Sequence, residues 1–284
     1  DACEQERDDT RMNSGDKFMV EPAIDVHGHC GAYRGYDGLT AKLMNAPAEI
    51  VARRAAECAI GLTVVSELSA FDPSPEEKVD VDAANARAVS SVEPIDTLRF
   101  YAVLNPLSDG WETNTARLLQ HPKCVGVKLH PRWNYWRVDE YGDRVFGFLN
   151  EHKALTLTHT GNEGNDPLEF VPFANKYSGL RMILAHIGHD EELRRRDRQV
   201  EAVKRCTHGN VWADTSSSNS ILARLIEFAV EEVGAERVLF GTDTPLYFAA
   251  AHKARVAYAE ISDEAKRKIL HDNAAELLGI RLRD

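Results

Sequence analysis

The chain has 284 residues, 43% hydrophobic and 28% charged, with a formal net charge of −11. That balance suits one large or two small globular domains with a sizeable core. It argues against a nucleic-acid partner, and no apolar run approaches a membrane span or reads as a leader. Five scattered cysteines (Cys3, Cys30, Cys58, Cys124 and Cys206) are odd in number and lack CxxC spacing, which favours reduced thiols and a cytoplasmic setting over a disulfide frame.

Residues 1–17 are polar and without apolar periodicity, and read as an N-terminal extension ahead of one domain over 18–284. The first strand ends in Ile24-Asp25-Val26-His27-Gly28-His29-Cys30. Period-two geometry puts Asp25, His27 and His29 on one face and Ile24 and Val26 on the other. The Cα atoms of the two histidines are then about 6–7 Å apart, close enough for both rings to reach one ion. Gly28 lets the backbone bend between them.

Helical periodicity follows over Leu39–Asn45 and Ala48–Ala59, then a short strand over Leu62–Val65. The next helix is expected over Glu76–Val92, entered through Ser74-Pro75. The alternation continues with strands Leu98–Leu104, Cys124–His130, Ala154–Thr158, Arg181–Ala185, Asn210–Ala213 and Arg237–Phe240. Between them lie helices over Trp111–Gln120, Gly142–His152, Leu168–Tyr177, Glu191–Arg205 and Ser220–Val233. Two more close the chain, Phe248–Ala259 and Asp263–Leu278. Eight apolar strands alternating with helices predict an α/β fold, a (β/α)₈ TIM barrel forming a single domain. A doubly wound open sheet is the competitor, but the first strand-to-helix loop lacks GxGxxG and polar chemistry falls at many strand ends.

Those ends carry His27 and His29 on strand one, Lys128 and His130 on strand four, and His159 on strand five. Strand six carries His186 and His189, and strand eight Asp243. A parallel barrel gathers them around one mouth, where they offer the ligand types of Zn²⁺ or a similar ion. Each alone has an ordinary structural explanation; their joint position at the carboxyl ends of separate strands argues for a metal site.

The segments IDVHGHC (24–30), VGVKLHP (125–131), THTG (158–161), ILAHIGH (183–189), VWADTSS (211–217) and LFGTDTP (239–245) form an ordered set. In them the chain resembles the amidohydrolase superfamily, in its amidohydrolase-2 or aminocarboxymuconate-semialdehyde-decarboxylase-like branch. The resemblance implies a divalent metal at the barrel mouth, most simply one Zn²⁺ with Mn²⁺ as the alternative, held by His27, His29, His159 and Asp243. His186 matches a residue that handles protons or orients a bound water beside the metal, so His186 and Asp243 are the catalytic candidates. Lys128 lies near the carboxylated lysine that bridges two ions in binuclear members. His130 is a neighbour or substrate contact, and Asp214 a hydrogen-bond partner for a ligand histidine or a helix cap.

Such a ligand set brings a bound water from a pKa of 15.7 to near 7 and polarises a carbonyl. This predicts a metal-dependent hydrolase acting on an amide, ester or lactone. The runner-up is a non-oxidative decarboxylase of a carboxylated aromatic or ring-opened substrate, since the same groups serve both. A metal-independent lactonase and an inactive binding barrel remain further alternatives. Loop position nominates Arg34, Arg132, Trp133 and Tyr247 for a small carboxylated substrate, with Tyr135, Trp136 and Arg137 in the same aromatic stretch. That stretch serves equally well as a cover over the mouth or a contact within a homo-oligomer.

Overall fold

The computed structural model describes residues 13–190 and 194–280. Eight parallel strands run in the order β1-β2-β3-β4-β5-β6-β7-β8. Their ranges are β1 Ala23–Cys30, β2 Ile60–Glu67, β3 Leu98–Val103, β4 Cys124–Leu129, β5 Leu155–Thr158, β6 Arg181–Leu184, β7 Val211–Asp214 and β8 Val238–Leu239. The last strand meets the first through Val26 N to Phe240 O (3.0 Å), Asp243 N to His27 O (2.7 Å) and a parallel bridge between Gly28 and Thr244. Helices alternate with the strands, and the expected TIM barrel is the fold.

Alternation along the strands divides the core in two. Leu62, Val64, Tyr101, Leu155, Leu157, Ile183 and Leu239 fill the barrel interior. Val127, Leu129, Met182, Leu184, Val238 and Phe240 face outward against helix residues such as Val145, Phe146 and Leu149. On β4 the inner face therefore carries Lys128.

The first strand departs from its expected pattern. Asp25 pairs with Thr63 but Gly28 pairs with Val65, so β1 carries one extra residue there. Such a slip is a β-bulge and re-aims the side chains beyond it. Ile24 and Val26 consequently join the inner apolar layer. Asp25 does not share the histidines' face: its carboxylate accepts from Thr242 N (3.1 Å), Thr242 Oγ1 (2.6 Å) and His27 N (3.0 Å), tying β1 to the end of β8. Gly28 is required by closeness as much as by bending, because a Cβ there would meet Thr63 Cγ2 at 2.8 Å.

Several helix starts also differ. The second long helix is Val81–Val92, not entered at Pro75. Asp72 ties down the bent segment ahead of the helix by accepting from Val79 N at 2.9 Å, and Asp80 caps the helix through Ala83 N at 2.9 Å. The segment expected from Ser220 is a 3₁₀ turn, Ser218–Ile221, before the helix Leu225–Val233. The helix expected from Glu191 begins at Arg198; residues 191–193 lie outside the described residues. The last stretch is Asp263–Arg267 and Asn273–Leu278, joined by a π turn over Lys268–Asp272. Residues 1–12 of the expected extension lie outside the described residues, and a helix over Ser14–Val20 already packs Phe18 into the core.

At the amino end of the barrel, Lys253 is wholly buried. Its ammonium shares its three protons among Met19 O (3.0 Å), Glu21 O (2.8 Å), Cys58 O (3.0 Å) and Ala59 O (2.8 Å), bolting together the entries of β1 and β2. Lys253→Met keeps the aliphatic stem but leaves those carbonyls without this donor. It should lower unfolding free energy by about 2–4 kcal/mol, the cost of orphaned buried polar groups. A urea midpoint equal to that of the unaltered protein would contradict this.

Candidate active site

The carboxyl end of the barrel holds a cleft of about 140 Å³, lined among others by His29, Lys128, His130, His159, His186 and Asp243. Asp243 Oδ1 lies 2.9 Å from His29 Nε2 and 3.5 Å from His27 Nε2. On the far side of these rings, Ser66 Oγ sits 2.8 Å from His29 Nδ1, and Asp214 Oδ2 sits 2.9 Å from His27 Nδ1. Each histidine thus has one nitrogen fixed by a neighbour and the other turned to Asp243, the arrangement that orients metal-binding imidazoles.

Two trios of donor atoms lie within 4.8 Å of one another: His27, His29 and Asp243, and His27, His186 and Asp214. The first matches the donor chemistry of a divalent cation, two imidazoles and a carboxylate. His159 stands one ring away. Its Nδ1 lies 3.0 Å from His186 Nε2, and its Nε2 meets Asn162 Oδ1. His186 and Asp243 both hold left-handed backbone angles, φ 74° and 56°. Such conformations cost non-glycine residues about 1–3 kcal/mol and gather at functional sites.

Burial governs the electrostatics. It pushes His29 down to about 4 and His159 down to about 3, and drives His130 and His186 well below the usual imidazole value. These rings are neutral at pH 7, the form that ligates. Burial alone would raise Asp243, but the hydrogen bond with His29 and the nearby Lys128 ammonium help to outweigh it and hold the carboxyl well below its ordinary range. Lys128 is lowered to about 8 by burial, with Asp243 and Asp214 opposing, and its Nζ lies 2.8 Å from His27 Nε2. Lys128 and His130 both face the cleft.

One wall of the site is a column of flat rings. His159 stacks on His130 (4.0 Å, 10°), His130 on Trp133 (4.5 Å, 2°) and Trp133 on Tyr33 (4.4 Å, 5°). Trp133 and Tyr247 line the cleft, joined by Tyr36, Met44 and Leu246, which sequence reasoning did not single out. Arg34 and Arg132 do not line it. Arg34 is exposed and pairs with Glu77 at 3.7 Å, and Arg132 borders a neighbouring surface cleft. Loop membership puts a side chain near the mouth without aiming it inward. Ser66 and Ser216 were also missed, because hydroxyls carry no spacing signal.

The sequence profile of the amidohydrolase family matches residues 24–280. The chain belongs to that family. Among curated proteins, none matches it by sequence. Similar solved structures include 2,6-dihydroxybenzoate decarboxylase from Rhizobium, 15% identical over 91% of this chain and 99% of that one, TM-score 0.69. Another is a dihydroxybenzoic acid decarboxylase from a Polaromonas species with bound manganese and the inhibitor 2-nitroresorcinol, 16% identical over 91% and 97%, TM-score 0.68. A third is a probable 2-pyrone-4,6-dicarboxylic acid hydrolase from Acinetobacter baumannii with citric acid bound, 16% identical over 91% and 99%, TM-score 0.62. At such identities the likeness extends to the fold.

Titrating Zn²⁺ or Mn²⁺ into the metal-free chain should raise its melting temperature and saturate near one ion per chain. A hundredfold excess over Kd adds about 2.7 kcal/mol. His29→Ala should abolish the rise and His186→Ala should retain most of it. Loss in both variants would make His186 a ligand, and two ions per chain would revive a bridge through Lys128.

Proposed function

We propose that this protein is a mononuclear metal-dependent enzyme that decarboxylates a small, planar, carboxylated ring without oxidation. His27, His29, His159 and Asp243 would hold the ion, and Zn²⁺ or Mn²⁺ suits their donors. The observation that carries the reading is the flat wall of Trp133, His130 and His159 beside Asp243. A cavity of about 150 Å³ accommodates a benzene ring, so a cleft of about 140 Å³ suits one ring and little more. The manganese-bound decarboxylase that shares this fold carries a single-ring inhibitor.

A divalent cation supplies a Lewis-acid charge that fixes and polarises a substrate oxygen. The remaining work falls to side chains. The ring column holds the substrate plane, and Tyr36, Leu246 and Tyr247 add apolar lining to the same cleft. Lys128 adds positive charge at the floor of the cleft, where a carboxylated substrate needs it. His186 Nε2 takes up one proton and delivers it to the ring carbon as the bond to the carboxyl breaks and carbon dioxide leaves.

Hydrolysis of a lactone or amide is the second reading, and it uses the same groups, with His186 accepting a proton from water. The pyrone dicarboxylate hydrolase of the same fold favours keeping it. The metal-loaded chain should release carbon dioxide from a panel of monocyclic hydroxylated carboxylic acids, giving a product one carbon shorter. Ring opening of lactones with uptake of water and no carbon dioxide would overturn decarboxylation in favour of hydrolysis. Full activity in the presence of a strong chelator would overturn the metal requirement.

A further inference from the structure

We propose that Ser216, through Asp214, sets the proton positions on two histidines at once, leaving Nε2 of both His27 and His186 bare. Ser216 is a positioning residue. The inference deepens the proposed function, on which it rests for the use of the two nitrogens but not for their protonation.

The count of donors and acceptors carries it. Asp214 Oδ1 accepts from His186 N at 2.9 Å and Ser216 N at 3.0 Å, so that oxygen presents lone pairs. Ser216 Oγ also bonds Asp214 Oδ1. A hydroxyl has one proton to give, and here it goes to the carboxylate. The same oxygen lies 2.8 Å from His186 Nδ1 and 2.9 Å from His27 Nδ1, and it can only accept from them. Both Nδ1 atoms therefore carry protons. His27 Nδ1 has a second acceptor in Asp214 Oδ2 at 2.9 Å, whereas His186 Nδ1 depends on Ser216.

The opposite edges of the rings agree. An ammonium only donates, so Lys128 Nζ, 2.8 Å from His27 Nε2, requires a bare nitrogen there. His186 Nε2 is left to accept from His159 Nδ1 at 3.0 Å, which frees His159 Nε2 in turn. That pattern requires the Asn162 side-chain amide, whose Oδ1 stands beside this nitrogen, to be rotated so that its NH₂ faces it. The packing that brings these groups together admits no extra carbon: a Cβ at Gly241 would lie 3.0 Å from His27 Cβ, 3.1 Å from Ser216 Cβ and 3.2 Å from Asp214 Cγ. The consequence is one bare nitrogen facing Asp243 as a ligand and another in the cleft as a proton acceptor, both fixed by a single buried carboxylate.

The test is nitrogen-15 NMR on the full, metal-free chain with labelled histidine, where long-range proton–nitrogen correlations separate Nδ1–H from Nε2–H tautomers. His27 and His186 should both appear as Nδ1–H. Ser216→Ala should shift His186 toward Nε2–H while His27 keeps its pattern through Asp214, and Ser216→Thr should restore His186. An Nε2–H signal for His186 in the unaltered chain, or an unchanged His186 in Ser216→Ala, would overturn the proposal. Should Ser216→Ala fail to fold, the native spectrum decides alone. Tautomers as stated with no carbon dioxide released from any ring acid would support this proposal and count against the decarboxylase reading.

Discussion

The site depends on one carboxylate removed from water. Asp214, at the end of β7, is fully buried and accepts from the His27 ring, from the backbones of His186 and Ser216, and from the Ser216 hydroxyl. Burial alone would raise its pKa; the hydrogen bonds from the His27 ring, the Ser216 hydroxyl and the His186 backbone bring it below the ordinary value. A buried charge is tolerated only when so satisfied. Because its partners come from β1, from the turn after β6 and from the loop after β7, the same contacts that stabilise the charge fix where the histidines stand. Closure of the barrel and orientation of the site are therefore one problem with one solution.

Around that anchor the mouth separates into two chemistries. Beside His27 and His29 stand the carboxylate Asp243 and the ammonium Lys128, a polar floor suited to a cation and to an anionic substrate. Beside His159 stands the ring column through His130 and Trp133 to Tyr33, apolar and flat. A molecule that is planar over most of its area and charged at one edge complements both.

Much of this was legible in the sequence. Eight β/α units followed from the alternation of apolar strands and helices, and the polar mouth from the histidines, lysine and aspartate at the ends of strands one, four, five, six and eight. The direction of Asp25 did not, because the extra residue in β1 is set by pairing with β2 on one side and β8 on the other. The start of the helix at Val81 was masked by Ser74-Pro75, a plausible entry that the Asp72 carboxylate overrides by holding Val79. Arg34 and Arg132 looked like substrate contacts because they follow strands, yet both are exposed and neither lines the cleft. Ser66 and Ser216 gave no signal, since only the folded backbone brings a hydroxyl to an imidazole.

The central claim is that Asp214 positions and does not ligate, while His27, His29, His159 and Asp243 hold the ion. Anomalous X-ray diffraction from crystals soaked with Mn²⁺ tests it most directly. The account predicts one anomalous peak bonded to those four side chains, with Asp214 still on His27 Nδ1 and His186 unbonded to the metal. A peak bonded to Asp214, or His27 coordinating through Nδ1, would contradict it.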